Sequence, residues 1–220
     1  MLNCRMKKND QSVSFGGVYV AGKSEKTKAH ILQTAMQTFG DSGYRQVSMN
    51  SIAQQAGVAK GTLYLYYKSK EELYLECVRE CYLQIYEYMS RTCEPKGTEV
   101  EQILCNYYTL FNDFCCHNPI LANLYFSTFF HPVQNLAEQV KAAAAPMVEF
   151  SRLYLKNSLK NLLVKDTVDI NAVADVMVGV GLMFVQKNRQ ECWLSKKDEF
   201  YQLQEQFKKM IEILLYGILK

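Results

Sequence analysis

The sequence predicts an all-α protein. Three observations carry that expectation. Apolar residues recur at three- and four-residue spacing through most of the chain, only four prolines occur in 220 residues, and Gly, Pro or a Ser/Thr-x-x-Glu pattern punctuates the periodic stretches. Hydrophobic content of 49% with 21% charged residues suits a globular chain that buries its own core, either as one large domain or two small ones.

The first helix is expected between Ser24 and Gly43, where Ala29, Ile31, Leu32, Ala35, Met36 and Phe39 share a stripe. Ser48 then caps a short helix carrying Ile52, Ala53 and Ala56, and Gly57 supplies the left-handed conformation of a tight turn. A second short helix follows from about Ala59 to Tyr66, closing a small core through Val58, Leu63 and Phe39. Ser69 with Glu72 forms a capping box for a longer helix reaching about Arg91. After Glu94-Pro95-Lys96-Gly97, Thr98 and Glu101 cap the next helix, which Asn118-Pro119 ends. A short helix from Leu121 to Phe129, a break at His131-Pro132, and helices over roughly 134–162, 168–188 and 197–218 complete the expectation, with Pro146 in a first turn or at a bend between two helices.

Charge divides the chain unequally. Residues 1–70 hold ten Lys and Arg against Asp10, Glu25 and Asp41, a net of +7, while the remainder carries a net of −4. Such asymmetry points either to a polyanionic partner or to a solvated basic surface. The eight cysteines show neither CxxC nor zinc-finger spacing, so reduced structural thiols and no metal site are expected. The stretch Val13 to Ala21 follows basic residues and resembles a short signal core, a reading that its two internal glycines and the polar helix after it weaken, and no run of about 18 apolar residues is available to span a membrane. The expectation is a cytoplasmic protein with a weakly ordered tail over residues 1–22.

The segment SMNSIAQQAGVAKGTLYLYYKSK, Ser48 to Lys70, concentrates the chemistry. Two short helices joined through Gly57 suit the helix-turn-helix arrangement, in which the second helix enters a major groove of double-stranded DNA. Lys60 adds charge, Gly61 allows close backbone approach and the Thr62 hydroxyl is a donor for a phosphate oxygen. Tyr64 and Tyr66 leave the helix on different sides with hydroxyls for phosphates or base edges, and Lys68 and Lys70 extend the positive rim. Core packing is the alternative for the tyrosines, and ordinary solvation for the lysines.

A first helix ending in phenylalanine, followed by IAQQAGVAKGTLYLYYKSKEEL, resembles the TetR family of bacterial repressors over residues 24–75. The resemblance implies that Lys60, Gly61, Thr62, Tyr64, Tyr66 and Lys70 occupy DNA-contact positions, joined by Ser48 and Asn50. It further implies three parts: the tail, a DNA-binding domain over 23–68, and a helical ligand-binding and dimerisation domain over 69–220. The partners implied are a palindromic operator, a small apolar or aromatic inducer that releases the DNA, and a second copy of the chain.

The rear of the chain matches that family only in style. Tyr107, Tyr108, Phe111, Phe114, Tyr125, Phe126 and Phe129, with Met147, Tyr154 and Met183, are either core or the lining of an inducer cavity. Val173, Val176, Met177, Val180 and Phe184, then Phe207, Met210, Ile211 and Leu214, are apolar enough for a four-helix dimer seam, or for an intrachain core. The three histidines lie in separate elements, and no nucleophile elbow or phosphate-binding loop occurs, so neither catalysis nor a cofactor is expected. A helical scaffold, or a DNA-binding activator without an inducer, is the competing function.

Overall fold

A computed structural model describes residues 23–93, 100–159, 169–192 and 197–216. Within them the regular elements are helices: α1 Lys23–Ser42, α2 Met49–Gln55, α3 Lys60–Tyr66, α4 Lys70–Thr92, α5 Val100–His117, α6 Pro119–Phe130, α7 Ala137–Leu159, α8 Ile170–Cys192 and α9 Lys197–Tyr216. Two short 3-10 turns, Tyr44–Gln46 and Gln134–Leu136, were not foreseen from periodicity. The tail, the Thr98 cap and the linkers at 94–99 and 160–168 lie outside the described residues.

α1 buries Ile31, Ala35 and Phe39 completely and packs on both α4 and α6. Gly43, at φ 74, stops it, and its N–H donates to the Phe39 carbonyl at 2.9 Å. Gly57, at φ 63, makes the corresponding reversal between α2 and α3. α4 runs on from this small bundle and is fixed along its length by buried partners. Its Cys81 thiol donates to the Leu121 carbonyl at 3.3 Å, and the Tyr82 hydroxyl pairs with Thr128 Oγ1 at 2.8 Å.

α7 is one continuous helix, with Pro146 in its interior. Proline has no N–H to give to the Ala142 carbonyl, and its ring crowds that same carbonyl, so this turn of α7 is held by the helix on either side of it. Cys77, Cys81, Cys93 and Cys115 are buried free thiols, as expected, but Cys116 is disulfide-bonded. No described helix is long and apolar enough to cross a membrane.

Candidate nucleic-acid interface and ligand cleft

The nucleic-acid face is built from the Ser48 cap outward. Ser48 Oγ accepts from the Ser51 N–H at 3.0 Å, and the Ser48 N–H donates to Ser51 Oγ at 3.1 Å, so the Ser48 hydroxyl is engaged in starting α2. Asn50, one residue later, is exposed. α3 turns Leu63 fully into the core and leaves Lys60, Gly61 and Tyr64 exposed, with Thr62 half-buried. The Lys60 ammonium stands 5.9 Å from the centre of the Tyr64 ring. Leu65 was not singled out by the sequence, yet it is 74% exposed between two tyrosines on this helix. Its only signal was an apolar residue off the Leu63 stripe.

The other predicted contact residues have protein partners. The Tyr66 hydroxyl lies 3.0 Å from Ser24 Oγ, joining α3 to the first turn of α1. Lys68 folds its ammonium back onto the Tyr64 carbonyl at 3.2 Å, and its own N–H donates to Glu72 Oε2 at 2.7 Å. Lys70 is half-buried; its ammonium donates to the Tyr44 and Val47 carbonyls at 2.8 and 2.9 Å and lies 4.1 Å from the Tyr44 ring centre. The Tyr44 hydroxyl donates to Glu71 Oε1 at 2.7 Å, a bond that holds the Glu71 carboxyl below its ordinary pKa.

The aromatic side chains of the middle helices divide in two. Tyr107, Tyr108, Phe111, Phe114, Tyr125 and Met147 are buried in the interior. Phe111 and Tyr125 rings meet edge to face at 5.3 Å; the Tyr107 hydroxyl reaches Ser151 Oγ at 2.7 Å, and that of Tyr108 reaches the Met177 carbonyl at 2.6 Å. Burial raises the pKa of both tyrosines. Tyr154 stacks on Tyr107 at 5.2 Å beside these six. Of the proposed lining, Phe126, Phe129 and Met183 border an apolar cleft of about 1080 Å³ between α6, α8 and α9. Phe130, Val176, Val180 and Met210 are among its other walls, with Asp175 at the border.

The residues expected at a dimer seam divide in the same way. Met177, Phe207 and Ile211 are buried within their own chain, because α8 and α9 close over Tyr108; Phe207 packs on that ring at 4.5 Å. Val176 is 56% exposed, while Val173, Val180, Phe184 and Met210 are half-buried. The Leu214 side chain lies outside the described residues.

A second cleft of about 650 Å³, with polar and apolar lining in similar measure, opens where the end of α1 meets the end of α6. Residues Gly40 to Gln46 form one wall, and Asn123, Ser127, His131 and Gln186 contribute to the others. Asn123 ties the walls together, donating from Nδ2 to Asp41 Oδ1 at 2.8 Å. Among the described residues, no three His, Cys, Asp or Glu side chains come together in a way that would hold a metal ion.

Residues 31–77 match the family described as bacterial regulatory proteins, tetR family. The fatty acid metabolism regulator protein of Bacillus subtilis is 37% identical over 73 residues, 33% of this chain and 38% of that protein. The transcriptional activator FasR of Mycolicibacterium smegmatis is 26% identical over 171 residues, 78% of this chain and 74% of that protein. Among solved structures, the transcriptional regulator FadR of Bacillus subtilis in complex with stearoyl-CoA superposes with a TM-score of 0.67 at 21% identity, covering 87% of this chain and 99% of that one. At that identity the superposition speaks for the fold: an N-terminal helix-turn-helix followed by a larger helical body.

Proposed function

From its place in the TetR family of bacterial transcriptional regulators, to which this chain belongs, we propose that it is a homodimeric repressor that releases a palindromic operator when a long-chain acyl ligand enters the cleft between α6 and α8. Residues 23–68 would form the DNA-binding domain and 69–220 the ligand-binding and dimerisation domain. Asn50, Lys60, Gly61, Thr62 and Tyr64 would meet DNA directly, with Leu65 offering an apolar contact for a thymine methyl. Ser48, Tyr66, Lys68 and Lys70 would act mainly by holding α2 and α3 in place.

One observation supports the ligand reading above the others: the apolar cleft is walled by α6, and α6 is locked to α1. Gly40 of α1 sits so close to Asn123 and Leu124 that an added Cβ would come within 2.9 Å of Asn123 Cβ. A ligand that shifts α6 therefore shifts the helix on which the DNA-binding bundle rests. Two half-sites separated by one turn of DNA need recognition helices about 34 to 36 Å apart, so a small tilt defeats simultaneous binding. The relative solved with stearoyl-CoA motivates the choice of an acyl chain.

The test is gel retardation of the DNA upstream of the protein's own gene, with stearoyl-CoA titrated in. Release of the DNA is the expected result; operator affinity unchanged at saturating ligand would overturn it. The relative named as an activator favours a second reading, in which bound protein raises transcription. Transcription in vitro from the same fragment distinguishes the two by sign.

A further inference from the structure

The second short helix of the DNA-binding bundle has few side chains that read a base by hydrogen bonds. From Lys60 to Tyr66, KGTLYLY, it carries no Arg, Asn, Gln, Asp or Glu, which with Lys are the residues that pair with guanine, adenine or cytosine edges in a major groove. Its polar groups are largely committed. The Tyr66 hydroxyl pairs with Ser24 Oγ, the Lys60 ammonium stands over the Tyr64 ring, and Thr62 is half-buried. Just past the helix, the Lys68 ammonium donates to the Tyr64 and Leu65 carbonyls at 3.2 and 3.4 Å.

What α3 presents instead is apolar. Leu65, at 74%, is the most exposed large apolar side chain among the described residues. With about 100° between successive helix residues, Lys60, Gly61, Tyr64 and Leu65 fan over one face turned away from the buried Leu63. Gly61 precedes Leu65 by one turn on that face. Helical side chains lean toward the N-terminus of their helix, so Leu65 leans over a residue that has no side chain. No other part of the protein lies within 4 Å of where a Gly61 Cβ would stand, and the backbone of Gly61 is not left-handed. Neither packing nor conformation therefore requires this glycine, which costs helix stability relative to alanine. The bare patch serves an approach from outside the chain.

Resting on the operator-binding reading above, we infer that Leu65 is the specificity-determining residue of α3 and reads the C5-methyl group of a thymine. The methyl enters the hollow over Gly61, against the Leu65 side chain and the flank of the Tyr64 ring. Double-stranded DNA is the occupant because residues 1–70, which hold α3, carry the net charge of +7, and because the reversal at Gly57 makes α3 the second helix of a helix-turn-helix. Thymine is the base whose major-groove edge carries an apolar group. Each half-site therefore holds an A·T pair where α3 is seated, and discrimination there comes from burying apolar surface rather than from a hydrogen-bond pattern.

The experiment selects binding sites for the full chain from a library of random duplexes and then replaces each thymine of the enriched half-site, symmetrically in both halves, by deoxyuridine. Uracil keeps the base pairing and lacks the methyl. At one or two positions the exchange should weaken binding about tenfold, the product of about threefold in each half-site. In Leu65→Ala the thymine-to-uracil ratio at those positions should fall from about tenfold to within about twofold, with Tm unchanged because the side chain is exposed. Leu65→Met should keep part of the ratio. Gly61→Ala, whose methyl fills the hollow, should reduce it.

If uracil and thymine duplexes bind alike at every position, the inference is overturned while the operator reading stands. A uracil penalty that survives Leu65→Ala gives the methyl to another side chain and overturns it as well. So does a half-site dominated by guanines whose selection relaxes in Lys60→Ala, which would make Lys60 the reader. If no sequence is enriched, the operator reading fails and the inference fails with it.

Discussion

The Lys70 ammonium donates to the Val47 carbonyl at 2.9 Å, tying the first turn of α4 to the residue that precedes the cap of α2. A second bond to the Tyr44 carbonyl and the Tyr44 ring beneath it complete the grip. A lysine that sequence pattern assigns to a phosphate contact thus has its donors largely engaged inside the protein. Lys70→Ala should lower stability by about 1 to 3 kcal/mol and weaken operator and non-operator DNA together, because α2 and α3 lose their support. The salt slope of binding should change by much less than about one unit, whereas Lys60→Ala should flatten it by about one. Retardation across a salt series checks both, and a full-unit change for Lys70→Ala would put its ammonium on a phosphate.

Lys70 also shows where sequence reasoning reached its limit. Helix spacing, Ser48, Ser69, Gly43 and Gly57 located the α-helices of residues 23–92 to within one or two positions, because caps and reversals are local chemistry written in a few residues, although the 3-10 turn Tyr44–Gln46 was missed. What a side chain does between elements is not local. Whether Lys70 meets DNA or Val47, and whether Tyr108 lines a cleft or plugs a gap beside Gly181, depends on how helices far apart in sequence approach one another. The aromatic stripe on α5 was visible, but the same periodicity describes a ring that fills the core and a ring that borders a ligand. Only Phe126, Phe129 and Met183 of the ten proposed residues border the apolar cleft. Leu65 was hidden for the opposite reason: apolar residues are assumed to point inward.

Tyr67 is 2% exposed, and its hydroxyl is buried with no partner among the described residues. Tyr67→Phe keeps the ring against the core and removes the orphaned group. The variant should gain about 1 kcal/mol, seen as a rise in Tm of about 2 to 4 °C. An unchanged or lowered Tm would mean that the hydroxyl has a water or protein partner after all.

Burial pushes the Tyr67 and Tyr74 hydroxyls up to about 12. A phenol whose folded pKa lies above its unfolded value of about 10 stabilises the native state below that value, and the contribution is lost as pH rises toward the folded pKa. The protein should therefore lose stability between about pH 10 and 12, and helicity and phenolate absorbance should change together as buried tyrosines ionise on unfolding. Full tyrosine ionisation with helicity intact at pH 11 would show that these hydroxyls are accessible in the folded protein.

Gly181 lets α8 approach α5 so closely that a methyl at this position would overlap the Tyr108 ring. Tyr108 is 3% exposed and bonded to the Met177 carbonyl, so it has little room to yield. Gly181→Ala should destabilise by about 1 to 3 kcal/mol, the usual cost of overpacking a rigid core. Combining it with Tyr108→Ala should cost less than the sum of the two single changes, since the added methyl enters the space the ring leaves. Denaturant unfolding of the four proteins provides the cycle, and strict additivity would place Gly181 away from the ring.

Gly40 is the point where the DNA-binding bundle presses on α6. A Cβ there would lie 2.9 Å from Asn123 Cβ and 3.0 Å from the Leu124 backbone nitrogen, and a helix backbone does not give way as a side-chain tip does. Gly40→Ala should push α1 and α6 apart by a few tenths of an ångström while adding helix propensity of about 1 kcal/mol, so the fold should survive. Its signature should be functional. Operator affinity without ligand should fall, because the ligand-shifted separation of the two helices is partly imposed in advance, and the remaining response to stearoyl-CoA should shrink by a similar factor. Asn123→Gly removes the Cβ that the new methyl meets, leaving the Leu124 nitrogen as the remaining close neighbour, and in the double variant should restore part of the response. Retardation with and without ligand for the four proteins measures the coupling; an undiminished ligand response in Gly40→Ala would move the path of communication from α6 and α1 to α4, whose Lys70 holds the same bundle from its other side.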